Sequence, residues 1–126
     1  MISVAVIGLG QIGSRNGRMN APGTGVPLSH VGAVLANPEI DLAAMVDPDP
    51  AARQDAAQLW QGRTEAPLLS RLNAIPEGSV DVITLCTPTV QRGRDVEAAL
   101  ALRPKVLIIE KPLASDLPEA ARLKTM

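Results

Sequence analysis

Four apolar runs punctuate the chain: Val4–Ile7, Leu42–Val46, Val80–Leu85 and Val106–Ile109, the third interrupted by Asp81 and Thr84. Each is strand-sized, all but the second are rich in β-branched residues, and a glycine, proline or charged residue follows each within three positions, as expected of strands buried on both faces of a parallel sheet. The stretches between them read as helices. Pro50 to Trp60 starts on a proline, continues with good helix formers and stops at Gly62. Val90 to Leu102 carries an apolar stripe of Val96, Ala99, Leu100 and Ala101 before Pro104 ends it. Leu117 to Lys124 follows a Ser115-Asp116 cap, with Pro118 at an early helical position. A short strand near Ala66–Leu69 and a helical turn around Leu69–Ile75 complete the pattern.

Strands alternating with helices over short connections predict an α/β fold, a doubly wound and mostly parallel sheet with helices on both faces and right-handed crossovers. One segment breaks the rhythm. Met19 to His30, MNAPGTGVPLSH, places two glycines and two prolines where the first helix should continue. It reads as a loop inserted in or after the first helical turn, with helix resuming near Ser29 and running to about Ala36.

Composition narrows the function. The 126 residues suffice for one domain spanning 1–126. Twelve basic residues against thirteen acidic ones leave no charge excess to recruit nucleic acid, and the absence of Phe and Tyr removes the platforms on which single-stranded bases stack. It also makes the core aliphatic. No apolar run approaches the roughly 18 residues needed to cross a bilayer and no leader precedes the first strand, so the expectation is a cytoplasmic protein without a membrane partner. A single cysteine, Cys86, forms neither an internal disulfide nor a metal site, and it reads as a packed strand-end residue.

The first apolar run leads into Gly8-x-Gly10-x-x-Gly13, with Gln11 and Ile12 between the last two glycines. In a dinucleotide fold the first glycine makes a tight turn, the second admits a pyrophosphate against the backbone, and the third lets helix pack on strand. The bland alternative is a flexible turn. Asp47 ends the second run, where a carboxylate can accept both hydroxyls of an adenosine ribose and repel a 2′-phosphate, which favours NAD with NADP as the alternative. It lies 34 residues after Gly13 rather than the usual ~20, an excess for which the inserted loop largely accounts. It could instead cap the following helix, although Asp49 is better placed to do so.

Thr87-Pro88-Thr89 ends the third long run and Glu110-Lys111-Pro112 the fourth, so both should face the crevice of the glycine loop. There Lys111 could assist proton movement, or it could simply be solvated. His30 and Trp60 read as structural, and Arg15 and Arg53 as solvated helix charges. Arg15 is near enough to the glycine loop to touch a phosphate, and Arg53 is the best partner for a 2′-phosphate.

In this order, VAVIGLGQIG, MVDPDPAAR, DVITLCTPT and IIEKPLA resemble the amino-terminal half of the Gfo/Idh/MocA oxidoreductases, and Glu-Lys-Pro is the most specific element. The resemblance implies a Rossmann domain binding NAD or NADP. It places Gly8, Gly10 and Gly13 at the pyrophosphate, Asp47 at the ribose, Thr87 and Pro88 beside the dinucleotide, and Glu110 and Lys111 near the nicotinamide. Lys111 would contact the sugar, cyclitol or polyol hydroxyl that is oxidised. The chain departs from the family in carrying Gln91 and Arg92 where many members have a histidine. Members also continue into a second α/β domain that supplies most of the substrate pocket and usually the oligomer interface. The expectation is therefore an oxidoreductase domain that is catalytically incomplete by itself, with homo-oligomers or a further domain as its partners. The alternative is a dinucleotide-binding module without turnover.

Overall fold

The computed structural model describes residues 1–18 and 25–126. Five strands, β1 (Ile2–Ile7), β2 (Ile40–Val46), β3 (Leu68–Leu69), β4 (Val82–Leu85) and β5 (Val106–Ile109), form one sheet in the order β3-β2-β1-β4-β5. Every pairing is parallel. The order reverses between β2–β1 and β1–β4, which opens a crevice beyond the carboxyl ends of β1 and β4.

The chain enters helices α1 (His30–Ala36), α2 (Pro50–Leu59), α3 (Arg92–Ala101) and α4 (Leu117–Lys124) through side-chain caps wherever short polar residues are available. Ser29, Asp49 and Asp116 accept backbone N–H bonds at the starts of α1, α2 and α4. The expected helix from Val90 is shorter. Thr89–Gln91 forms a 3-10 turn as the chain leaves Pro88, and regular helix begins at Arg92.

Alternating strand residues divide the core between the two faces. Val4, Val6, Leu42 and Met45 pack with α1 and α2. Ala5, Ile7, Ala44, Val46, Ile83 and Leu85 pack with α3 and α4. Trp60, the only aromatic residue, is buried in the first cluster, where its indole N–H donates to Ser14 Oγ at 2.9 Å. The expectation of burial on both faces fails at β5. Leu107 and Ile109 face the second cluster, but Val106 and Ile108 are 50% and 45% exposed. Strand pattern registers apolar residues, not whether an element covers them, and α1 reaches only part of this face. Ile108 instead borders an apolar groove with Val4, Ile12 and Val34.

The expected third strand begins at Val82 rather than Val80, because Asp81 is committed to a knot at the amino edge of the sheet. Its carboxylate accepts from the N–H and hydroxyl of Ser3, each at 3.0 Å, and pairs with Lys105 Nζ at 2.7 Å. The Lys105 ammonium, with help from Ser3, holds the Asp81 carboxyl far below its ordinary range. A depressed folded-state pKa contributes stability above the carboxylate's ordinary value and loses it as pH falls through the lowered one. The advantage of the wild type over Asp81→Asn in denaturant unfolding should therefore shrink progressively as pH falls below about 4. A constant difference over that range would contradict the knot.

Candidate functional site

Ladder bonds continue one residue past several strands and align their ends. Gly8 N–H donates to Val46 O at 2.7 Å, Cys86 N–H to Ile7 O at 2.7 Å, and Glu110 N–H to Leu85 O at 3.0 Å. Gly8, Asp47, Thr87 and Glu110 consequently stand along one rim.

At that rim the three glycines have different reasons to be glycine. Gly8 has φ +92°, and a β-carbon on it would lie 2.7 Å from the carbonyl carbon and oxygen of Cys86. Gly13 is packed so closely that a β-carbon would overlap the carbonyl oxygen of Gly8. Both are required by the protein's own backbone. Gly10 is not: among the described residues nothing lies within 4 Å of the position its β-carbon would take, and its φ does not require glycine.

The chain then makes one turn, with Ser14 and Arg15 N–H both bonded to Gly10 O, and a 3-10 turn at Arg15–Arg18. Most of the expected inserted loop, residues 19–24, lies outside the described residues. Beyond it, His30 N–H donates to Ile12 O at 2.9 Å and Val31 N–H to Gly13 O at 3.0 Å. These consecutive carbonyls are the ones an uninterrupted helix would use, so α1 is spliced onto the turn that follows the glycines. With the excursion set aside, the separation from Gly13 to Asp47 falls to about 20 residues.

Asp47 and Asp49 divide the two tasks considered for them. Asp49 caps α2 through Ala51 N–H at 2.9 Å, whereas Asp47 accepts from Leu9 N–H at 2.8 Å through one oxygen and Asp49 N–H at 2.9 Å through the other. Asp47 is thereby fixed against the glycine turn, and each oxygen keeps acceptor capacity for a further donor. Arg53 turns inward to the Asp47 and Pro48 carbonyls, at 2.7 and 3.1 Å, and Arg15 pairs with Asp55 at 3.1 Å.

On the other flank, Thr87 Oγ1 is buried without a hydrogen-bond partner among the described residues, and Pro88 is exposed. Glu110 is half-buried, and its Oε1 lies 2.7 Å from His30 Nε2. This hydrogen bond holds the Glu110 carboxyl below its ordinary range, against the opposing effect of burial. Lys111 and Gln11 are exposed, and the Lys111–Pro112 peptide bond is cis. Of the two settings open to Lys111 in the sequence, the described residues supply the solvated one. Burial pushes the Cys86 thiol up to about 12, in keeping with a packed side chain.

Two residues acquire neighbours that sequence reasoning did not give them. His30 reads as structural from its sequence setting, yet it meets Glu110. Arg92 stands out in the sequence only as a departure from the family's pattern, yet its guanidinium reaches the carbonyls of both Thr87 and Glu110. A recess of about 310 Å³ also opens on the α3 side between Pro48, Arg71, Thr87 and Arg94. Among the described residues no group of three or more metal-ligating side chains occurs, and no helix is long and apolar enough to cross a membrane.

A parallel sheet in this order, with a tight glycine turn after its first strand and an acid after its second, defines a dinucleotide-binding domain of the Rossmann type. The chain belongs to the Gfo/Idh/MocA oxidoreductase family: the family's model, described as an oxidoreductase family with an NAD-binding Rossmann fold, matches residues 2–126. No curated protein sequence matches it. Among solved structures, the WlbA dehydrogenase from Bordetella pertussis, in complex with NADH and UDP-GlcNAcA, is 23% identical with a TM-score of 0.74, over 98% of this chain and 33% of that one. A variant of KijD10, a 3-ketoreductase from Actinomadura kijaniata in complex with TDP-benzene and NADP, is 23% identical with a TM-score of 0.69, over 98% and 34%. An oxidoreductase from Agrobacterium radiobacter, in complex with NAD+, L-tartaric acid and magnesium, is 23% identical with a TM-score of 0.71, over 98% and 31%. The chain thus spans about a third of the length of these proteins.

The different settings of the glycines predict different costs. Gly8→Ala should destabilise the fold by at least ~1–3 kcal/mol from its φ alone. Gly10→Ala should stay within about 0.5 kcal/mol of wild type. Denaturant unfolding of the two variants measures the contrast, and equal destabilisation would contradict it.

Proposed function

We propose that residues 1–126 hold the cofactor of an oxidoreductase that moves hydride between nicotinamide and a hydroxyl-bearing carbon of a sugar, cyclitol or related polyol. The observation that carries the cofactor half of this reading is the open space at Gly10. Neither backbone conformation nor any described neighbour demands a glycine there, whereas a pyrophosphate lying against the backbone would. Gly8, Gly10, Gln11, Ile12 and Gly13 form the turn that receives it, and Asp47 accepts the adenosine ribose hydroxyls with its remaining lone pairs. The recess beside Pro48 and Arg71 offers a place for the base.

Toward the other end, Thr87 Oγ1 has no hydrogen-bond partner among the described residues, and Pro88, Glu110 and Lys111 border the nicotinamide. When bound, the cofactor supplies hydride acceptance and return. Lys111 donates a hydrogen bond to the reacting hydroxyl and orients it. That the WlbA structure contains both NADH and a nucleotide sugar supports the sugar class of substrate. A module that holds the dinucleotide without turnover is the second reading, favoured by the exposure of Lys111. Oxidation of any member of a polyol panel by the 126-residue protein would exclude it.

Trp60 gives a direct assay, because the only aromatic side chain is bonded to Ser14, just behind the glycine turn. Titration with NAD, followed by Trp60 fluorescence or calorimetry, should saturate. NADP should bind more weakly, since its 2′-phosphate meets the Asp47 carboxylate. Gly10→Glu should abolish NAD binding while leaving the protein folded, and unchanged affinity in that variant would sink the proposal.

A further inference from the structure

We infer that Arg92 is a positioning residue for the nicotinamide end of the crevice, one that sets Thr87 and the Glu110-Lys111 pair by gripping their backbones. The inference rests on the reading of the crevice as a dinucleotide site. Arg92 opens α3 and is only 1% exposed, the largest fully buried side chain in the domain among the described residues. Burying a guanidinium is costly unless its donors are used. Here Nη1 donates to Glu110 O at 2.7 Å and Nη2 to Thr87 O at 3.0 Å, while the buried Nε has no partner among the described residues. No carboxylate lies within ion-pair distance of Arg92 among the described residues; the Glu110 carboxylate is turned to His30 instead. The charge is therefore spent on two carbonyl groups, both just past the point where a strand ends.

That placement has a consequence. The last ladder bond between β4 and β5 is the one from Glu110 N–H to Leu85 O. Beyond it the two chain ends are free to diverge, and the planar fork of one guanidinium joins them again. Glu110 is held twice, at its carbonyl by Arg92 and at its carboxylate by His30, and Lys111 follows directly. The grip leaves Thr87 Oγ1 without a partner among the described residues. Arg92 itself is buried beneath the rim and acts through these groups. The adenosine end is fixed by separate means, the glycine turn and Asp47, and does not depend on Arg92.

The two ends can be separated with NAD and ADP. Arg92→Met should weaken NAD binding about tenfold or more, while ADP, which lacks the nicotinamide end, should change less than about twofold. Arg92→Lys keeps the charge but not the fork, so its NAD affinity should be intermediate, again with ADP unchanged. Should Arg92→Met fail to fold, Arg92→Lys decides alone, together with amide hydrogen exchange. Exchange at Thr87, Glu110 and Lys111 should accelerate while that of β1 and β2 does not. A merely structural role would weaken both nucleotides in step with thermal stability, and that result, or variants that bind NAD as tightly as wild type, overturns the inference. Failure of wild type to bind either nucleotide overturns the reading of the crevice, and the role of Arg92 with it.

Discussion

Between the turn after β1 and the end of β4 there is no room for a β-carbon. The Gly8 backbone lies against the carbonyl of Cys86, and Gly13 folds back against the carbonyl of Gly8, so three stretches of main chain meet without a side chain between them. This close approach fixes the height at which the chain crosses the carboxyl ends of the strands. Asp47 reinforces it from the neighbouring strand by accepting the N–H of Leu9. Once the turn is pinned in this way, the backbone at Gly10 faces outward, and α1 can start from the carbonyls of Ile12 and Gly13. The excursion before α1 is tolerated because its two ends are fastened by the helix it interrupts.

The opposite wall of the crevice depends on polar contacts between elements distant in sequence. His30 reaches Glu110 across 80 residues, and Arg92 joins the carbonyls that follow β4 and β5. A rim built in this way is held together by polar contacts. The buried guanidinium is held through its two terminal nitrogens, and the carboxylate held below its ordinary range has His30 as its partner.

Sequence reasoning succeeds here where the physics is local. Four of the parallel strands show as apolar runs, Asp49 and Asp116 show as caps beside their helices, and the interrupted first helix shows in the glycines and prolines of 19–30. The glycine turn and Asp47 are legible because a strand, a turn and a second strand end lie in a fixed order along the chain. Contacts made by the crossovers leave no such trace. Nothing in the residues flanking His30 indicates Glu110, and no spacing rule assigns the Arg92 guanidinium to two carbonyls. The exposed face of β5 is invisible for a related reason, since Val106 and Ile108 have the same chemistry whether covered or bare. The division of labour between Asp47 and Asp49 stays open in the sequence because both are acids within one turn of the helix start, and only the position of Leu9 separates them.

On the proposed function, a dinucleotide crosses the domain at the gap over Gly10. A crystal structure of the chain with NAD measures this most directly. The pyrophosphate is expected against the Gly10 backbone, with the adenosine ribose on the Asp47 carboxylate and the nicotinamide toward Thr87 and Glu110. Dinucleotide bound elsewhere, with the Gly10 backbone left uncovered, would contradict it.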